Sequence, residues 1–517
     1  MRLPRSAAIL VALTLTALTL VAVSGPATAV QQFQDDFESG NMSNWDSSAG
    51  LNVQQAITNG GSAFAARSTA SRAWAAKDLS AARDNLFVRL FVNVRSQREE
   101  FQVLRFRRAS GEILAALSIL DSGRLRIRNF VTGNSSVSRD DIHRGWNDLQ
   151  MQVFVNGRRS RLKAWLDGDR VVSRRVRLGS AGTGTVEIGN RAAGRNYNAV
   201  YDDVTVDTER IRDLTVLAAG NIACDPNQAG YNGGDGTATS CHMKHTSNLL
   251  VRRYSDAVLA LGDNQYICGG HRGFNQSYDP TWGRVYNKTY PVPGDKEYRN
   301  TNNSPTGTDC EPPPNLAEGY QAYFSGAPGP APGSAGEFWY SFELGDWHIV
   351  ALNSACGLGV VQPDCDPQDG NGSAEYDWLV NDLANSNKQC TLVFFHHPRF
   401  SSGKHGNDAD TAAFWSAMYD DGVELILNAH EHTYERFRAQ DPQQNRDRAN
   451  GIVEFVVGTG GHSHERFPSG TPEPNSVVRN DSTFGVLEVA LRASSWRAEF
   501  IPEAGSTFTD SAKGNCH

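Results

Sequence analysis

Four short apolar runs, each breaking off into acids, amides and histidines, constrain the fold of this chain more than any other feature. Leu214-Thr215-Val216-Leu217 runs into AAGNIACDP, and Ala257-Val258-Leu259-Ala260-Leu261 into GDNQY. Thr391-Leu392-Val393-Phe394-Phe395 runs into HHPRF, and Val423-Glu424-Leu425-Ile426-Leu427 into NAHEH. Runs this short and apolar read as strands buried on both faces. Helical stretches at Glu375 to Leu383 and at Ala409 to Tyr419 lie among them. Such alternation predicts an α/β sheet whose polar residues collect at the carboxyl ends of its strands, where sites form. The tail, FGVLEVALRASSWRAEFIP, reads as an antiparallel hairpin.

The N-terminal part has a different rhythm, and 517 residues are too many for one core. From Phe33 to about Thr208 the pattern is strand, turn, strand. Phe87 to Val94 largely alternates, as does Met151 to Val155. Asn156-Gly157 then predicts a tight hairpin into Leu162 to Leu166, which ends at Asp167-Gly168. With no convincing amphipathic helix, the fold class expected is an all-β sandwich followed by an α/β domain. The opening DDFESGNMSNW and closing YDDVTVDT resemble the laminin-G and concanavalin-A-like sandwiches that bacteria append to secreted enzymes, which implies an all-β jelly-roll sandwich. That resemblance implies an extracellular carbohydrate or cell-wall polymer as a candidate partner. Arg158, Arg159, Arg161, Arg170, Arg174, Arg175 and Arg177 fit either contact with an anionic polymer or a solvated strand face, which is the default for exposed charge.

The first residues and the cysteines both predict export. Arg2 and Arg5 precede an apolar run from Ala7 to Val23, and Ala27-Thr28-Ala29 is a small-residue cleavage site. Residues 1–29 therefore read as a secretory signal peptide rather than a membrane anchor, residues 30–210 as the sandwich and residues 211–517 as the α/β domain. No other run is long enough to span a bilayer. All eight cysteines lie after Arg210, and an even count in an exported chain reads as disulfides. Cys356–Cys365 and Cys390–Cys516 are the pairings expected. A net charge of −8 gives no footprint for nucleic acid as a dedicated partner.

Acids, amides and imidazoles at several strand ends suit two metal ions bridged by a shared carboxylate. The ordered set GNxxC, GDxxY, PVPGDKEY, HHP and AHxH, with SSGKHG, YERF and VVGTGG, resembles the calcineurin-like metallophosphoesterases, in the branch nearest the purple acid phosphatases. The resemblance runs from about Asp213 to the C-terminus and implies an αββα four-layer sandwich. It implies two metal ions, of Fe, Zn or Mn, with Asp263 bridging them. One ion would also take His432, Tyr266 and Asn221, and the other His396, His430 and Asp295. His397 matches no ligand in the pattern. The ions would activate a water and neutralise phosphoryl oxygens.

Three positions depart from that pattern. The family has Asp at Asn221, Asn at Asp295 and His at Lys296; Ala429 stands where it has Gly. The first two form an exchange that conserves oxygen donors and summed charge, which favours a retained but retuned metal pair. Lys296 still offers donors for a phosphate oxygen. Its ordinary pKa, near 10.4, suits proton transfer at neutral pH only if lowered, and its ammonium could instead replace an ion. His405 occupies the place of a substrate-facing histidine and is the other candidate catalytic residue. Two functions follow: a secreted metal-dependent phosphoesterase acting on a phosphate-ester substrate, or a catalytically silent binding protein attached to a polymer-binding sandwich.

Overall fold

Strands between Gln31 and Asp207 build two antiparallel sheets, of eight and seven strands, packed face to face. The alternation read from the sequence explains the packing. Val88, Leu90 and Val92 of one sheet meet Leu104, Phe106 and Leu117 of the other in a single apolar core. The computed structural model describes residues 31–59, 62–68, 72–302, 308–312, 316–328, 337–354, 373–492 and 495–517. The signal peptide and the Cys356–Cys365 pairing expected from the sequence lie outside the described residues. Within the opening motif, Trp45 Nε1 donates to Asp35 Oδ2 at 2.5 Å, closing that segment on itself.

The hairpin expected at Asn156-Gly157 is not a two-residue turn. Pairing ends at Phe154 opposite Arg161, and Ser160 Oγ holds the wider loop by accepting from Asn156 N–H and donating to the Gly157 carbonyl. The tight turn comes one strand later, where Leu166 pairs with Asp169 across Asp167 (φ 51°) and Gly168 (φ 89°). Two successive left-handed residues are what such a turn requires.

The C-terminal unit is an αββα four-layer sandwich. Its first sheet runs in the order Thr289–Val292, Ala257–Leu261, Leu214–Ala219, Gly485–Arg492, Ser495–Pro502, Ser511–Asn515. The first three strands are parallel and the last three form the antiparallel tail. The second sheet has seven strands, and Trp347–Ala351, Cys390–Phe394, Leu425–Asn428 and Val453–Val457 pair in parallel at its centre. Leu217, Leu259, Phe394, Leu427 and Phe455 share the core that joins the sheets.

Helices cover the outer faces. Met243–Arg252 buries Met243, Thr246, Ser247 and Leu250, the spacing of one helical stripe. On the other side, Ala374–Asn385 and Ala412–Asp421 pack Leu379, Leu383, Phe414, Trp415 and Met418 against the second sheet. Ser373 caps the first of these by accepting from Tyr376 N–H at 3.0 Å, and Gly422, at φ 88°, ends the second.

Disulfides join Cys224 to Cys241, Cys268 to Cys310 and Cys390 to Cys516. The first two brace the loops that follow Asn221 and Tyr266; the third is the expected link to the C-terminus. No helix among the described residues is long and apolar enough to cross a membrane.

Candidate metal centre

The strand order brings the polar clusters to one edge, between the two sheets. Asn221 follows Leu214–Ala219, Asp263 follows Ala257–Leu261 and Asp295 follows Thr289–Val292. From the second sheet, His396 follows Cys390–Phe394 and His430 follows Leu425–Asn428. Asn221 (φ 55°), Asp263 (φ 50°) and His430 (φ 63°) all sit in the left-handed region, which is uncommon away from glycine and marks a backbone bent to aim side chains. At Gly262 a Cβ would fall 2.6 Å from His396 Nδ1, so only glycine lets this strand end lie against that ring. Ala429 is accommodated opposite Gly220, where a Cβ would lie 2.5 Å from its methyl group.

His396, His430 and the two aspartates converge. His396 Nε2 lies 3.3 Å from Asp263 Oδ1 and 3.4 Å from Asp295 Oδ1, and His430 Nδ1 lies 3.5 Å from Asp295 Oδ1. Four donors held about 2.0–2.1 Å from one tetrahedral ion are spaced by about 3.3–3.4 Å. Asp295 Oδ1, His396 Nε2 and His430 Nδ1 are buried without a hydrogen-bond partner, so their lone pairs fit an ion. His396 Nδ1 faces the Leu261 carbonyl at 2.8 Å, which sets the tautomer with the Nε2 lone pair free. Buried His397 joins Asp295, His396 and His430 in a group whose donor atoms lie within 4.8 Å of one another; its Nδ1 faces Ser354 Oγ at 3.1 Å.

The other half of the expected centre is arranged differently. Tyr266 donates its hydroxyl to Asp263 Oδ2 at 2.6 Å and lies 3.1 Å from His432 Nε2, while its ring stacks on His462. Burial, then the Asp263 carboxylate, push the phenol well above its ordinary value. His432 Nδ1 approaches Ser463 Oγ at 2.9 Å. The Asn221 side chain is spent on main chain: Nδ2 donates to the His430 carbonyl at 3.0 Å, and Oδ1 accepts from His430 N–H at 3.1 Å. Lys296 Nζ lies 2.5 Å from Asp295 Oδ2 and 3.3 Å from Asp263 Oδ2. Burial works to lower the ammonium, yet these two carboxylates raise it, which takes Lys296 away from proton exchange near neutral pH.

His405 stands at the solvent side, its ring 4.5 Å from that of His430. Its Nδ1 lies 3.4 Å from Glu431 Oε2, and the hydrogen bond to Glu431 raises its pKa despite partial burial. Glu431 carries no role in the sequence reading, yet it organises the loop. Its fully buried carboxylate accepts from the main-chain N–H of Lys404, His405 and Gly406 at 2.9, 2.7 and 3.0 Å. Glu297 does similar work between two ligand loops, accepting from Gln265 N–H at 3.0 Å and Gly294 N–H at 2.7 Å; burial pushes its carboxyl up to about 8. A glutamate beside each ligand motif was the only signal available, and it does not distinguish an exposed side chain from a buried acceptor of main-chain bonds.

Residues 244–434 match the calcineurin-like phosphoesterase family. Purple acid phosphatase 18 of Arabidopsis thaliana is 27% identical over 166 residues, covering 31% of this chain and 35% of that protein. Purple acid phosphatase 15 of the same plant is 26% identical over 251 residues, covering 42% of each. The chain thus spans well under half the length of these relatives. A purple acid phosphatase from yellow lupin (Lupinus luteus) seeds superposes with a TM-score of 0.43 at 14% identity, over 85% of this chain and 92% of that one. The C-terminal unit is a calcineurin-like phosphoesterase domain. The two plant relatives it resembles in sequence are purple acid phosphatases.

Proposed function

We propose that the protein is an exported, metal-dependent hydrolase of phosphate esters. One observation carries the reading: the convergence of Asp295 Oδ1, His396 Nε2 and His430 Nδ1 as buried atoms without hydrogen-bond partners. A folded protein rarely leaves three such atoms facing one another unless a cation joins them. An ion bound there supplies Lewis-acid charge to a phosphoryl oxygen and lowers the pKa of water.

The chain's own residues supply the rest. The Lys296 ammonium, already held by two carboxylates, has a further N–H direction to offer a phosphate oxygen. His405 Nδ1 is engaged with Glu431, which leaves Nε2 to protonate the departing alcohol. Phosphate ester and water then give alcohol and phosphate. Export is supported by the signal-peptide reading and agrees with the three disulfides among the described residues. The resemblance of its opening and closing motifs to laminin-G and concanavalin-A-like domains supports a polymer-anchoring role for the sandwich, which would bring the hydrolase to an extracellular surface.

The test pairs metal content with turnover. Protein reloaded with Fe, Zn or Mn is assayed on phosphomonoesters, phosphodiesters and pyrophosphate. His396→Ala and His430→Ala are each expected to lose bound metal and to lower turnover at least ~100-fold. A metal-loaded wild type that is silent on all three substrate classes would transfer the assignment to a binding protein. Lys296 resting on both carboxylates is the feature that favours this second reading.

A further inference from the structure

We propose that the Lys296 ammonium takes the place of one of the two metal ions, so that the centre holds a single ion at Asp295, His396 and His430. Resting on the metal-dependent reading above, this changes the composition of the centre from two ions to one ion and one protein-borne cation.

The two halves of the site differ in what they lack. On the His396 side, three buried donor atoms have no hydrogen-bond partner, and their spacing suits one ion. On the Tyr266 side, every group expected to hold an ion has other work. Asn221 uses both ends of its amide on the His430 main chain, an arrangement that fixes the backbone of a ligand of the first ion. The Tyr266 hydroxyl is engaged with Asp263 Oδ2 at 2.6 Å. His432 Nε2 lies 3.1 Å from that hydroxyl. Asp263 Oδ2, the oxygen an ion on this side would need, already lies 3.3 Å from Lys296 Nζ.

Charge leads to the same division. Asp263 and Asp295 present two negative charges to one ammonium. A divalent ion brings the group to a single net positive charge, suited to a phosphate anion. A second divalent ion would have to settle beside the ammonium, with no carboxylate at position 221 to offset it. The Asn221 and Asp295 exchange then has a direct meaning. The carboxylate has moved to the side that keeps its ion, and Asp295 serves both that ion through Oδ1 and the lysine through Oδ2.

The test counts ions on the full chain. Wild type, Lys296→Met and the Lys296→Met/Asn221→Asp double variant are equilibrated with excess Zn or Mn, desalted, and analysed by mass spectrometry for bound metal. Circular dichroism reports their fold. Wild type is expected to hold one ion per chain, and the double variant two. Should the double variant fail to fold, Lys296→Met alone decides, with a rise above one ion expected. Two ions on wild type would overturn the single-ion centre and leave the hydrolase reading standing. No ion on wild type would overturn both. One ion on every folded variant would overturn the role given to Lys296. Ferric loading gives an independent readout: a phenolate–iron charge-transfer band is expected in the double variant and not in wild type, and a band in wild type would count against the proposal.

Discussion

At the scale of single residues, two kinds of side chain share the site, and the sequence exposes only one of them. The donors, Asp263, Asp295, His396 and His430, are polar residues breaking off apolar strands, so they stand out in the chain. The departure at Lys296 was equally visible, since a lysine stands where the family pattern has histidine. The direction in which Asn221 turns its amide was not visible, because it depends on the His430 backbone, more than two hundred residues away. Glu431 is the clearest hidden case. Three main-chain N–H groups point at one buried carboxylate, each a charge-assisted bond. Glu431→Gln offers one acceptor oxygen and an NH2 group that faces donors. It should destabilise the protein by about 2–3 kcal/mol in urea unfolding and loosen the loop that carries His405. Bound metal should stay at the wild-type level while turnover falls. Loss of the metal itself would show that Glu431 supports the ion rather than the loop.

At the scale of elements, burial decides what could be read in advance. Ala257–Leu261 and Cys390–Phe394 are buried at every position, and such runs announce themselves in sequence. The loop after Phe154 is not legible in sequence because Asn-Gly favours a tight turn only while nothing else competes, and here Ser160 Oγ accepts from Asn156 N–H and donates to the Gly157 carbonyl. Contacts between elements were hidden for a further reason: they join residues with no shared local pattern. His348, on the strand Trp347–Ala351, is an example with a measurable signature. Its Nδ1 lies 2.9 Å from Glu343 Oε1 and its Nε2 2.8 Å from Asp382 Oδ2, so both nitrogens are donors only when the ring is an imidazolium. Burial works to lower this histidine, but Asp382 and then Glu343 outweigh it and raise its pKa. A raised folded value means that the stabilisation is fully present below the ordinary pKa near 6.5 and is lost as pH rises through the folded one. The stability gap between wild type and His348→Leu should therefore be wider at about pH 5.5 than at about pH 8.5. Urea midpoints measured at both values check it, and a gap independent of pH would mean that the histidine is held neutral.

At the scale of the whole molecule, the question is how a sandwich and a phosphoesterase domain are made to act as one body. Their junction is built around a buried ion chain rather than an apolar seam. Arg89, on the sandwich strand Asn85–Gln97, grips Asp148 through Nε at 3.0 Å and Nη2 at 2.8 Å. The same guanidinium pairs with Asp213, which leads into the first phosphoesterase strand. Asp213 in turn accepts from Arg492 Nε at 3.0 Å, at the end of the strand Gly485–Arg492. Burial works against the Asp213 carboxyl, but Arg89 and Arg492 hold it below its ordinary value, so its share of the junction is present near neutral pH and lost as pH falls through the folded pKa. Removing a buried pair whole can be nearly neutral, whereas removing one partner strands the other charge and costs about 3–5 kcal/mol. Arg89→Ala strands Asp148 and loosens Asp213 together. Calorimetry should then resolve two transitions, with the sandwich melting apart from the C-terminal domain, where wild type melts in one. Arg89→Ala/Asp148→Leu, which removes the stranded charge, should recover part of the lost stability without restoring the single transition, because Asp213 and Arg492 still lack their sandwich partner. A single transition at an unchanged midpoint in Arg89→Ala would mean that the ion chain merely occupies the junction and that the neighbouring backbone and aromatic contacts couple the two domains.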